Sequence, residues 1–210
     1  TVVPLPTIQI RPPADPAPLR RAVQRLARRS YQHLLLTSHN AVEQLWRELG
    51  SQELDARALA GSVVSAIGPG TAAALAQRGV TPDLVPEDHR AEGLLELLPA
   101  ERVDGCRVLL PRAAVARELL PETLARRGAT VDVVTAYETG HPDPERTGAG
   151  VEELERGAID VLTFTSASTA ENLASIVGPD RLRDLARGAV VAAIGPVTRA
   201  ACERLGLTVD

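Results

Sequence analysis

Residues 161–172 read Val-Leu-Thr-Phe-Thr-Ser-Ala-Ser-Thr-Ala-Glu-Asn. An apolar run ends in two hydroxyl residues, Thr165 and Ser166, and a helical pattern begins at once. That is a buried strand passing into a helix whose first turn is capped by hydroxyls. The same pattern stands earlier at residues 34–43, Leu-Leu-Leu-Thr-Ser-His-Asn-Ala-Val-Glu, with Thr37 and Ser38 in the matching places at an offset of 128. Each copy leads to a second shared unit. Residues 64–71, Val-Ser-Ala-Ile-Gly-Pro-Gly-Thr, return as residues 191–198, Val-Ala-Ala-Ile-Gly-Pro-Val-Thr, at an offset of 127. A fainter echo links residues 1–13 to residues 130–142, where Thr1 matches Thr130 and Pro13 matches Pro142. The chain is a two-copy protein.

Outward from these units, the pattern alternates. Residues 18–29 form an amphipathic helix, with Leu19, Val23 and Leu26 inside and five arginines around the rest, read as a solvated outer face. A strand at 33–36 and a helix at 40–49 follow, the helix stopped by Gly50. Next come a helical turn at 56–59, a strand at 62–67 and a helix at 71–78 ended by Gly79. Residues 83–86 read as a short strand, 92–98 as a short helix, 107–110 as a strand and 115–127 as a long helix closed by Gly128. The polar stretch 140–150, rich in Gly and Pro, reads as loop, with helix at 151–156. The second copy supplies strands at 161–164 and 189–194 and helices at 169–177, 182–186 and 197–205. Near-continuous apolar strands alternating with helices imply parallel sheets covered on both faces, and the repeat implies two of them.

Composition narrows the function. Hydrophobic residues make up 44% and charged ones 24%, as in ordinary globular proteins, while aromatics at 2% leave the cores to Leu, Val, Ala and Ile. The net charge of −4 argues against a general nucleic-acid binder. Cys106 and Cys202 make no disulfide framework, and His33, His39, His89 and His141 make no metal-ligand pattern. No apolar run approaches the roughly 20 residues that span a bilayer, and no signal peptide is visible, so a cytoplasmic protein is expected.

Ligands of open parallel sheets bind beyond the carboxyl ends of the strands, where both Thr-Ser units and both Ile-Gly-Pro-x-Thr units fall. Hydroxyls and free N–H groups at a helix start can hold an anion, with Thr71 supplying a hydroxyl beside Gly68; they can equally be plain caps. Neither Gly-x-Gly-x-x-Gly nor a P-loop lysine is present, so no dinucleotide fingerprint is made. Ser38, Ser166 and Ser168 lack a His–Asp pairing for nucleophilic catalysis. Tyr137, on a linking stretch, can donate a proton to a leaving oxygen or pack its ring at a lobe boundary.

The set Thr37-Ser38, Ala66-Ile67-Gly68, Leu110-Pro111-Arg112 with Arg117 and Gly128, Tyr137-Glu138-Thr139, Phe164-Thr165-Ser166 and Ala193-Ile194-Gly195-Pro196-x-Thr198 resembles the uroporphyrinogen-III synthase family across essentially the whole chain. The resemblance implies an α/β fold of two similar parallel-sheet, flavodoxin/Rossmann-like lobes, joined by a pair of extended connector strands with a cleft between them. Residues 1–5 and 140–210 then form one discontinuous lobe, 14–129 the other, and 6–13 with 130–139 the connectors. Internal symmetry adds the expectation that the first lobe is trimmed by about one strand–helix unit at each end.

The implied activity is that of a cofactor-free lyase of tetrapyrrole synthesis acting as a monomer. It cyclises hydroxymethylbilane, a linear tetrapyrrole with eight carboxylates, through loss of water and a spiro intermediate that inverts ring D. Tyr137 matches the family's tyrosine proposed to assist departure of the hydroxyl. Thr37, Ser38, Asn40, Gly68, Thr71, Arg112, Ser166, Ser168, Gly195 and Thr198 are the implied substrate-binding positions; at Asn40 some members carry Arg. Two expectations follow: the Tyr137 oxygen has no permanent protein partner, and Arg112 reaches the ligand unless a carboxylate holds it. A rival reading is a non-catalytic ligand-sensing module of the same fold.

Overall fold

The computed structural model describes residues 1–210, the side chain of Pro144 excepted. The chain runs β1 (Gln9–Arg11), α1 (Ala17–Ala27), β2 (His33–Leu36), α2 (His39–Ser51), a 3₁₀ turn (Ala56–Leu59), β3 (Val63–Ala66), α3 (Pro69–Ala76), α4 (Ala91–Glu96) and α5 (Ala100–Val103). It continues through β4 (Arg107–Ala113), α6 (Leu119–Arg126), β5 (Thr130–Gly140), α7 (Pro144–Glu155), β6 (Val161–Phe164), α8 (Ala167–Val177), α9 (Pro179–Ala186), β7 (Val190–Ala193) and α10 (Pro196–Arg204). Two compact units result, residues 10–138 and residues 1–9 with 139–210.

The larger unit holds most of a five-stranded sheet in the order β1-β5-β4-β2-β3. β3, β2, β4 and β5 run parallel, as their apolar runs require. All four residues of β2 are buried because both faces are covered. Leu34 and Leu36 point with Val64, Ala66 and Leu109 toward Leu19, Val23 and Leu26 of α1 and Val42, Leu45 and Leu49 of α2. Leu35, Val108 and Leu110 point the other way, onto Leu94, Leu98, Val103, Leu120 and Leu124. β5 is therefore a sheet strand aligned with β4 along its length, not merely a connector.

In the smaller unit β6 and β7 pair in parallel, and Phe164, Leu173, Leu182, Val191 and Cys202 form its core. The internal repeat persists down to single hydrogen bonds. Asp83 accepts from Val64 N–H at 2.7 Å and gives its own N–H to the Val64 carbonyl at 2.7 Å. Asp210 does the same to Val191, at 2.9 and 3.0 Å.

Four expectations are corrected. The helix read over 115–127 begins only at Leu119, because Pro121 has no N–H and its ring would clash with the carbonyl of residue 117 in a longer helix. Val115 is instead 94% exposed on the connecting loop. The stretch read as loop at 140–150 is mostly helix: α7 starts at Pro144, where a missing N–H costs nothing. Its Gly150 lies against the N-terminal segment, where a Cβ would stand 2.9 Å from Leu5 Cγ and 3.1 Å from the Pro4 carbonyl oxygen. Gly50 does not stop α2; the left-handed residue is Glu53, at φ 57°. The strand read at 83–86 is a single bridge between Leu84 and Ser65.

Candidate active site

The carboxyl edge of the larger sheet is assembled from β2, β3, β4 and β5. At the end of β2, Ser38 adopts extended backbone angles and its Oγ accepts the Ala41 N–H at 3.1 Å, capping α2. Thr37 and Asn40 flank it, both half-buried. β5 brings Tyr137 to the same place, and its Oη lies 3.1 Å from Ser38 Oγ.

An irregularity in β5 makes that meeting possible. Arg112 pairs with Thr135, but the next residue, Ala113, pairs with Tyr137, so Ala136 is one residue more than β4 can match. An extra residue of this kind turns two successive side chains to one side of a sheet. Val134, Ala136 and Tyr137 accordingly share the face that carries α1 and α2. Strict alternation would have sent Tyr137 to the opposite face.

The phenol is 8% exposed, and its oxygen has a protein partner, contrary to expectation. That partner is a hydroxyl, which leaves two arrangements open. Ser38 Oγ already accepts from Ala41, so its own O–H can be given to Tyr137 Oη, freeing the phenolic proton for a ligand. Tyr31 differs: its O–H is given to Asp132 at 2.7 Å, and burial followed by that carboxylate raises its pKa.

Arg112 is also occupied. Its guanidinium donates to the Arg117 carbonyl at 2.9 Å and pairs with Glu118, and its side chain is only 11% exposed. This is the carboxylate-held arrangement, so Arg112 braces the 114–118 loop. The loop is further tied by Arg117 to Glu92 at 2.9 Å and by Ala114 N–H to the Tyr137 carbonyl at 2.9 Å.

At the end of β3, Gly68 precedes α3, which has no side-chain cap and opens with Pro69. The Gly70 and Thr71 N–H groups consequently lack intrahelical acceptors. Thr71 itself is 5% exposed, so the freely presented hydroxyl expected there is absent; Pro69 and Gly70 are the open residues. His89, which no spacing pointed to, stands over Gly68: a Cβ on that glycine would lie 3.0 Å from His89 Cβ and 3.2 Å from Cγ.

The smaller unit repeats the design. Ser166 has the angles of Ser38 within a few degrees (φ −158°, ψ 157° against −161°, 154°) and its Oγ accepts from Thr169 N–H at 3.2 Å. Its hydroxyl also meets Ser168 Oγ at 3.1 Å and Thr169 Oγ1 at 2.7 Å. Gly195 matches Gly68 (φ −174°, ψ 176° against −175°, −178°) and starts the uncapped α10. Thr198 is 5% exposed like Thr71, but around Gly195 a Cβ would meet nothing within 4 Å. Among the described residues no group of three or more His, Cys, Asp or Glu side chains is placed to hold a metal, and no helix is long and apolar enough to cross a membrane.

Parallel sheets whose carboxyl edges carry hydroxyls and open helix starts belong to the class of α/β proteins that take small ligands at those edges. The comparisons specify the family. The model described as uroporphyrinogen-III synthase HemD matches residues 1–210. The uroporphyrinogen-III synthase of Synechococcus elongatus is 32% identical over 209 residues, covering 97% of this chain and 77% of that one. That of Chlorobaculum parvum is 32% identical over 211 residues, with 100% and 81% covered. A crystal structure of a mutant uroporphyrinogen III synthase from Thermus thermophilus superposes with a TM-score of 0.59 at 28% identity, covering 98% of this chain and 80% of that one. The chain belongs to the uroporphyrinogen-III synthase family.

Proposed function

We propose that this protein is a cyclising lyase that converts hydroxymethylbilane to uroporphyrinogen III, with Tyr137 as the proton donor to the departing hydroxyl. The observation that carries the reading is the phenol of Tyr137, swung by an extra β5 residue onto the edge where Ser38 partners it at 3.1 Å. In the first step the hydroxymethyl C–O bond breaks, pushed by the adjacent pyrrole nitrogen. The oxygen takes the phenolic proton and leaves as water, and Ser38 O–H donates to the phenolate left behind. Loss of the pyrrole N–H proton gives the azafulvene, and the same nitrogen takes a proton back as ring D adds. Ring D attacks it through its substituted carbon, and the spiro intermediate reopens and recloses with ring D inverted. The proton released as the last pyrrole recovers aromaticity restores the phenol.

Positioning carries the rest. The substrate-binding set is Thr37, Asn40, Gly68 and the backbone N–H of Thr71 in the larger unit, with Ser166, Ser168, Gly195 and the backbone N–H of Thr198 in the smaller, while Ser38 acts through Tyr137. Donors there meet carboxylates locally, which a protein of net charge −4 cannot do through its overall field. Arg112 serves indirectly, by shaping the 114–118 loop beside Tyr137. Monomeric action in the cytoplasm on this one small molecule completes the reading.

Tyr137→Phe tests it, because the ring stays and only the donor goes. A positioned acid contributes about 10²–10⁴ in rate, and azafulvenes form readily, so kcat should fall by roughly 10² with folding intact. Unchanged type III synthesis by a folded Tyr137→Phe protein would leave conformational control alone to explain the reaction.

A further inference from the structure

His89 has one nitrogen fixed and the other presented. Nδ1 lies 3.0 Å from the Pro86 carbonyl oxygen. A carbonyl only accepts, so Nδ1 carries the hydrogen and Nε2 is the outward nitrogen. Among the described residues Nε2 has no hydrogen-bond partner, and the residue is exposed. The neighbouring carboxylates Asp88 and Glu92 are each paired with an arginine. Asp88 takes three bonds from Arg90, at 2.8, 3.0 and 2.7 Å, and Glu92 takes Arg117. Gly68 records how close the ring sits, since any side chain there would press on His89 Cβ and Cγ. Around its repeat counterpart Gly195 a Cβ would meet nothing within 4 Å.

We propose that His89 is a substrate-carboxylate ligand: its Nε2, protonated as the anion approaches, donates to one carboxylate of the tetrapyrrole over Gly68. The proposal rests on the synthase reading for the identity of the anion. A nearby carboxylate favours the protonated imidazole, and a charge-assisted hydrogen bond forms without rearranging the ring, because Pro86 already holds it. The cyclisation needs no proton from His89, so its loss weakens binding and spares chemistry.

The experiment compares wild type, His89→Ala and His89→Gln by two readouts. One is KM and kcat for hydroxymethylbilane. The other is the Kd for uroporphyrin III, a stable octacarboxylate macrocycle, followed by fluorescence. Expected for His89→Ala are a KM and a Kd each raised about 10-fold with kcat unchanged, the scale of one charge-assisted bond. Gln, which keeps an N–H donor near the same point, should recover part of both. A folded His89→Ala protein with wild-type Kd overturns the proposal, whether or not the wild type cyclises hydroxymethylbilane. A wild type that binds uroporphyrin III through His89 yet forms no type III product sinks the synthase reading instead.

Discussion

Ser38 Oγ and Tyr137 Oη stand 3.1 Å apart, joining the cap of α2 to the phenol of β5. One serine thus does two jobs. Its acceptor lone pair holds the Ala41 N–H, and its hydroxyl proton remains for Tyr137.

Ser38→Ala should lose both functions in separable amounts. The missing cap costs about 1 kcal/mol of stability, read as a lower urea midpoint. The missing donor to the phenolate lowers kcat further, while in a Tyr137→Phe background the same change should affect kcat little. Equal kinetic losses in both backgrounds would mean that Ser38 contacts substrate independently of Tyr137.

Ser65→Ala should stabilise the protein by about 1 kcal/mol. Ser65 is fully buried on β3 and its hydroxyl has no partner among the described residues, so removing it relieves a desolvation cost. The repeat already makes this substitution: the residue in the matching place is Ala192. A raised urea midpoint at unchanged m-value checks it.

Much of this arrangement was legible in the sequence, and the reasons are local. Ser38 and Ser166 announce themselves as caps because a hydroxyl between an apolar run and a helical pattern has one good use. What stayed hidden depends on the neighbour across the fold. The extra residue at Ala136 exists only relative to β4, and so does the face Tyr137 takes. Gly150 reads as a loop former until Leu5 is seen against it. Pro121 could have shortened α6 on paper, since its ring forbids a helical residue 117. His89 reaches Gly68 through irregular chain that has no period to read.

Gly150→Ala measures the packing of α7. Helix propensity alone favours alanine by about 1 kcal/mol. Contact with Leu5 Cγ and the Pro4 carbonyl should cost roughly 1–3 kcal/mol, so net destabilisation is expected. Adding Leu5→Gly should remove part of that penalty, giving a measurable coupling between the two sites in a double-mutant cycle.

Stability should fall in mild acid because of His33. Burial lowers its pKa, outweighing the bond from Nε2 to the Arg102 carbonyl, and Nδ1 has no partner among the described residues. The neutral ring suits the fold, so its contribution is intact above the unfolded value near 6.5. It is lost as pH falls below that value toward the folded one, at up to about 1.4 kcal/mol per pH unit. His33→Gln should flatten the pH dependence of the urea midpoint below about pH 6.5.

The most direct test of the central claim is the isomer ratio. Hydroxymethylbilane closes by itself to the type I macrocycle, so type III product requires a protein that holds ring D for inversion. Purified protein incubated with hydroxymethylbilane, with the products oxidised and separated chromatographically, should give type III in large excess. Type I alone, at the rate seen without protein, would contradict the account.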